Sequence, residues 1–208
     1  MLELPREPAD IRAWESVLPI ASGAESLEAM LERYGLSLTS AQAQQLVVRA
    51  GETVVLSEAL PAHMRRTADV AVAKEWIGLP DSLIDLYPLR GLPEAPLTAW
   101  PSGRHADPST FSAAEAEDVR RATNTYLFGD SRRVPSYKTA LEELFGPFEV
   151  DVYFVPHIEV EAGATLLVRG RPHAILADTI TIQPGGRIEL RAICKAWIGS
   201  MRKLSLVH

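Results

Sequence analysis

Val152–Arg169 (VYFVPHIEVEAGATLLVR) lies over Ala174–Arg191 (AILADTITIQPGGRIELR) at an offset of 22 residues, and the apolar positions coincide. Ile158 falls on Ile180, Val160 on Ile182, Gly163 on Gly185, Leu166 on Ile188, Val168 on Leu190 and Arg169 on Arg191. A second shift of 22 brings Ala196, Trp197 and Ile198 beneath Ala174, Ile175 and Leu176. Self-similarity at a fixed period marks stacked units, and about 20 residues suits one turn of a β-solenoid. Strand alternation sends Ile158, Val160, Leu166, Val168 and their counterparts inward, and Glu159, Thr181, Leu167, Glu189, Arg169 and Arg191, mostly polar, outward. Gly163 and Gly185 fall where the chain turns between strands. The competing arrangement is an antiparallel β-sandwich or jelly roll, with VEAGATLLV and IQPGGRIEL as hairpins around glycine turns.

The first strand of each unit breaks the alternation. Val152, Phe154, Ala174, Leu176, Ala196 and Ile198 take one face, while Tyr153, Ile175 and Trp197 take the other. A strand apolar on both faces is normally covered on both. The column Tyr153–Ile175–Trp197 is therefore expected to lie under the rest of the chain or to form an interface with another subunit.

Upstream, Ser112-x-x-Glu115 forms a capping box, and Ala116, Val119, Ala122 and Tyr126 mark one helical face. Pro135-Ser136 opens a second helix, with Tyr137, Leu141, Leu144 and Phe145 on its buried side, closed by Gly146-Pro147. Residues 88–110 hold five prolines (Pro88, Pro93, Pro96, Pro101 and Pro108), which predicts a linker or a strap across the surface. Residues 1–87 read as helical. Ser22-x-x-Glu25 is a capping box before Leu27, Met30, Leu31 and Tyr34, with Gly35 as the stop. Thr39-x-x-Gln42 opens a second helix through Ala50, and Met64, Ala68, Val72 and Trp76 make a third. Glu52–Leu60 fits a strand at its start and a helix at its end, and a short helical turn covers Asp81–Leu86. The run YGLSLTSAQAQQLV at Tyr34–Val47 resembles the start of a small bacterial helical family of unknown function.

The expected architecture is α+β: a helical domain over 1–87, a proline-rich linker or strap over 88–110, and a unit over 111–208. That last unit is two helices followed by a short β-solenoid or, in the alternative, a sandwich. At 208 residues, 47% hydrophobic and 23% charged, the chain has the composition of a soluble globular protein able to bury a core. A net charge of −6 disfavours nucleic acid and anionic membrane as main partners. The single cysteine, Cys194, excludes an internal disulfide framework and fits a reducing compartment. No secretory leader pattern and no long apolar run stand out, so a cytoplasmic location is expected.

Chemistry is sparsely signalled. The loop Gly129–Arg133 brings Asp130 and Ser131 beside Arg132 and Arg133, residues able to serve a hydrolytic site or to clamp a carboxylate or phosphate. The same residues suit a solvated turn in which Asp and Ser cap backbone groups. His157 and the stacked pair Arg169 and Arg191 are further candidates for anion or ligand contact, the arginines lying about 4.8 Å apart if on adjacent strands. No HxH, HExxH or Cys/His cluster points to a metal, and no motif points to a cofactor. The period and glycine corners resemble pectate-lyase-type β-helices, but their Asp clusters are lacking and under three turns give too short a groove for a polysaccharide. The expectation is a non-enzymatic assembly or protein-interaction module, acting as a homo-oligomer or docked on a protein partner through its β-rich end. The alternative is a small-molecule-binding or hydrolytic enzyme with a pocket between the two halves of the chain, walled by Asp130, Ser131, Arg132, Arg133 and His157.

Overall fold

The computed structural model describes residues 26–86 and 94–204. The Ser22–Glu25 capping box, the amino-terminal leader reading, and Pro88, Gly91 and Pro93 of the strap lie outside the described residues. The fold is α+β, mixed helices with curled sheets, the larger curling as a half-barrel. The chain divides into two compact units, one holding Arg66–Glu149 and the other the segments that flank it, up to Arg65 and from Val150.

In the flanking unit come helix α1 (Leu27–Arg33), strands β1 (Gln45–Val48) and β2 (Thr53–Val55), and the short helix α2 (Leu56–Ala59). Strand β3 (His63–Thr67) carries the chain out of this unit, and β4 (Phe148–Phe154) brings it back. Then follow β5 (His157–Val160), β6 (Thr165–Arg169), β7 (His173–Ile182), β8 (Arg187–Arg191) and β9 (Cys194–Lys203). One sheet runs β1-β5-β7-β4-β3, with β9 on β7, and the other runs β2-β6-β8. The ladders β1–β5, β4–β7, β5–β7 and β7–β9 of the first sheet and β2–β6 and β6–β8 of the second are parallel. Tyr153 sits opposite Ile175, Ile158 opposite Ile180, Leu166 opposite Ile188 and Arg169 opposite Arg191, which is the 22-residue offset of the sequence. Parallel pairing rules out the two glycine hairpins: β5 and β6 do not pair with each other, since each joins a different sheet.

The inward set is as read. Ile158, Val160, Leu166, Val168, Ile180 and Ile182 form one apolar core, with Ile188 and Leu190 packed against it. Fully burying each such side chain contributes roughly 1.5–3 kcal/mol. Gly163 and Gly185 turn the chain at φ 69 and 75, the left-handed region that a side chain disfavours.

Two corrections concern the first strand. The last offset is 21, so Trp197 lies opposite Leu176, and Ile175 faces Ala196. Tyr153 and Ile175 also point into the core, 1% and 5% exposed, together with Val155 and Ala177. The inward parity therefore slips by one residue between Val155 and Ile158, and again between Ala177 and Ile180. The slip falls at a corner where Pro156 O accepts from both Asp178 N and Thr179 N, at 3.0 and 2.9 Å. One extra residue at such a bend transfers every later side chain to the opposite face. The outward positions are Val152, Phe154, Leu176 and Trp197, all buried. Helix α1 packs on β7 and β9 and buries Met30 and Leu31, so the chain itself covers this face.

The amino-terminal half differs from the all-helical expectation. Ser26 caps α1 by accepting from Ala29 N at 3.2 Å, and Gly35 at φ 60 ends it. Arg65 donates to the last carbonyls, through Nε to Tyr34 O and through Nη2 to Gly35 O. Gln42 opens no helix. Its amide accepts from Phe154 N at 2.7 Å and donates to Val152 O at 2.9 Å, as a neighbouring strand does, closing that edge of β4. The QLVV run that follows is strand β1, paired with β5. Glu52–Leu60 is both things its composition allowed, β2 and then α2. Met64 lies on β3, 55% exposed, because four-residue spacing also places residues on one face of a strand. Asp69, accepting from Ala71 N at 2.7 Å, starts the next helix five residues later.

In the other unit, α3 (Val70–Ile77), α4 (Asp81–Leu86), α5 (Ala113–Phe128) and α6 (Lys138–Phe145) follow in order. Val119, Ala122, Tyr126, Tyr137 and Leu141 form its core with Val70 and Ala73. The Ser112–Glu115 capping box is present, with both of its reciprocal bonds. Residues 94–112 cross this core as an irregular strap. Trp100 is buried against Phe111 and Tyr137, at centroid distances of 5.6 and 5.7 Å, with Arg104 over its ring at 5.0 Å. Asp118 pins the strap, accepting from Leu97 N at 2.8 Å, Thr98 N at 3.1 Å and Thr98 Oγ1 at 2.6 Å. Those bonds, the Thr98 hydroxyl first, hold its carboxyl below the ordinary range against the opposing effect of burial. Asp118→Ala leaves three donors without this acceptor, so a loss of about 2–3 kcal/mol is expected in chemical denaturation, with faster proteolysis between Glu94 and Ser112.

Candidate functional site

The Gly129–Arg133 loop is a 3-10 turn over Ser131–Arg133, with Asp130 as its cap, accepting from Arg132 N at 3.0 Å. Asp130 also pairs with Arg132 Nε at 2.7 Å, and these contacts, the side-chain bond first, hold its carboxyl low. Arg133 is exposed. Ser131 donates through Oγ to Asp81 Oδ2 at 2.5 Å and through its backbone N–H to Asp81 Oδ1 at 3.0 Å.

Beneath the loop lies Lys74, 3% exposed, a residue that sequence reading missed. Its ammonium donates to Tyr126 O at 2.7 Å and Gly129 O at 2.5 Å and pairs with Asp81 Oδ1 at 2.9 Å. Burial lowers the Lys74 pKa, and Asp81 works against that shift. Burial acts to raise the Asp81 carboxyl, but the Ser131 bonds and Lys74 outweigh it, and the group sits below its ordinary value. A serine, a lysine and an aspartate thus come together, yet the chemistry is that of a latch. An ammonium with three acceptors keeps its proton and cannot take one from Ser131, whose hydroxyl is committed to a carboxylate. Gly78 explains the close docking of α3 on α5: Leu79 N donates to Leu127 O at 2.9 Å, and a Cβ at Gly78 would lie 2.2 Å from that oxygen.

In the other unit the proposed anion contacts are dispersed and paired. Arg169 donates to Glu58 at 2.8 Å and Arg191 to Glu189 at 2.7 Å, which relieves the repulsion of two arginines side by side. His157 is exposed and bonds Thr179 Oγ1 at 2.7 Å through Nδ1; the column continues to Ser200 where the repeat placed Met201. His157 stands on β5, Arg169 and Arg191 are register partners on the neighbouring strands β6 and β8, and Asp130–Arg133 belong to the other unit. His173 is buried at 1% exposure with Nε2 on Arg169 O at 2.9 Å, an acceptor that places its proton on Nε2. Burial pushes the Cys194 thiol up to about 12, so it stays protonated and unreactive. Among the described residues, no group of three or more His, Cys, Asp or Glu side chains could hold a metal, and no helix is long and apolar enough to cross a membrane.

At the carboxyl end of the β-rich unit, β8 and β9 each close a sheet among the described residues, paired only with β6 and β7. The core is closed on the β1–β2 side, where Val48 and Leu56 are 0% and 1% exposed with Leu60 and Ala62 packed nearby. At β9 it is not. Along one column Ile158 and Ile180 are 2% exposed, and Met201, next in register, is 42% exposed. Among the described residues β9 pairs only with β7, leaving the far edge of ten residues without a partner strand. No protein family, curated protein or solved structure matches this chain.

Proposed function

We propose that the protein is a non-enzymatic protein-interaction or assembly module that docks through the β9 edge of its β-rich unit. On this reading the unit is a short parallel β-solenoid of just over two turns, with an apolar column that runs inside it and surfaces at the last strand. The single observation that carries the proposal is the contrast along that column, from 2% exposure at Ile180 to 42% at Met201. An unpaired edge beside an uncovered core is a template for a further strand. The face first expected to dock, Tyr153–Ile175–Trp197, is not the one proposed, because its residues are buried by the chain itself. The enzyme alternative has no observation that favours it, since Asp130, Ser131 and Arg132 are engaged with neighbours.

Site-specific photocrosslinking in cells tests this. A photoreactive side chain at Met201 is expected to give discrete protein adducts, and one at Leu97, 83% exposed in the other unit, is not. No adduct at position 201 beyond those formed from position 97 would overturn the docking role.

A further inference from the structure

We infer that the β9 edge accepts an extended acidic peptide segment as an added strand, with apolar residues alternating with the acidic ones. This rests on the docking role proposed above and names its partner by chemistry.

The backbone supplies the first argument. Leu204 N donates to Ile182 O at 2.8 Å, so by strand alternation the N–H groups of Met201 and Lys203 turn to the free side. They are donors for an incoming strand. The side chains supply the second. Met201 lies at an inward position and is exposed, so an apolar residue of the added strand that lands beside it extends the core column. Arg202, on the opposite face and next in register to Thr181, offers a carboxylate its partner. An alternating apolar and acidic segment satisfies both faces at once.

Charge supplies the third. In a chain of net charge −6, the stretch from Arg187 to Lys203 holds five basic residues and one acidic one, Glu189. Glu189 is taken by Arg191, and Arg202 and Lys203 are exposed with no ion pair among the described residues. The edge is therefore a positive feature on a negative molecule. It favours an acidic partner, and electrostatic steering speeds encounter.

The same charges disfavour a second copy as occupant. Pairing two β9 strands antiparallel over their full length sets Lys195 opposite Arg202, and like charges directly opposite destabilise a ladder. Lys203, where Val160 and Ile182 point inward in the earlier strands, is a charged residue on an inward position, a device that discourages indiscriminate edge pairing.

The probe is a labelled peptide of about ten residues alternating Glu and Val, matched to β9, with a Lys–Val peptide and a single-stranded oligonucleotide of equal negative charge as comparisons. Anisotropy titrations of the full chain are expected to show binding of the Glu–Val peptide alone, weakening as salt rises. Hydrogen exchange is expected to slow at Met201 and Lys203 on binding. Two variants act by different routes. Arg202→Glu with Lys203→Glu reverses the charge. Met201→Pro removes an outward N–H and leaves the β7 ladder intact, as edge strands tolerate. Each is expected to weaken binding at least about tenfold while retaining the wild-type circular dichroism. Equal binding of the Lys–Val peptide, or Glu–Val binding that neither variant weakens, overturns the inference. Oligonucleotide binding that depends on Arg202 and Lys203 overturns it in favour of nucleic acid. Should crosslinks at position 201 prove to be to a second copy while the peptide fails to bind, the docking role survives and the acidic partner does not.

Discussion

Tyr153→Ala is expected to lower the stability of the β-rich unit by about 3–5 kcal/mol, the cost of truncating a large core side chain that its neighbours cannot follow inward. Tyr153 is 1% exposed, packs with Ile158, Ile175 and Ile180, and meets the His173 ring edge-on at 5.5 Å. Burial pushes its phenol up to about 12, so the group stays neutral across any working pH. On a subunit-facing surface the same change would leave the isolated chain within about 0.5 kcal/mol of wild type. Urea titration followed by far-UV circular dichroism separates the two cases, with Leu97→Ala, at an 83% exposed position, as the neutral comparison. A loss under about 1 kcal/mol for Tyr153→Ala would mean that the inward placement is wrong.

That residue also shows where sequence reasoning holds and where it breaks. Periodicity located the repeat, its register and the inward set from Ile158 to Leu190, because within a strand the two-residue alternation has no freedom. It failed across the corner at Pro156 and Asp178, where a one-residue slip exchanged the faces. It failed again at the last offset, 21 residues instead of 22, which moved Trp197 from Ile175 to Leu176. Neither slip leaves a pattern in composition, since both faces of that strand are apolar. Gln42 and Met64 misled for a related reason: a helical spacing counts residues on a face without saying what they meet. Gln42 meets the backbone of β4, a contact 112 residues away that no local window contains. The Ser112–Glu115 box and the Gly35 stop were legible because their partners lie within a few residues. Of the candidate chemistry, sequence singled out the Asp130–Ser131 loop but not Lys74. A lone lysine within an apolar helical run carries no sign of burial until α5 and the Ser131 turn close over it.

Lys74→Met is the second large loss to expect, about 3–5 kcal/mol, and here the cause is electrostatic. Methionine fills most of the lysine's volume, so little cavity forms. What remains is a carboxylate at Asp81 without its ammonium, and carbonyls at Tyr126 and Gly129 without a donor. A double-mutant cycle with Asp81→Asn separates this from simple loss of packing: removing the stranded charge is expected to recover about 1–3 kcal/mol. Acid titration gives a second reading with a fixed sign. The Asp81 carboxyl lies below its ordinary value when folded, so its contribution is full above the usual aspartate range and is lost as the pH falls through the folded value. Wild type should therefore lose stability on acidification below that range, and Asp81→Asn should lose less of it over the same interval. Identical acid profiles for the two proteins, together with additive effects in the cycle, would show that Lys74 and Asp81 do not act as a pair.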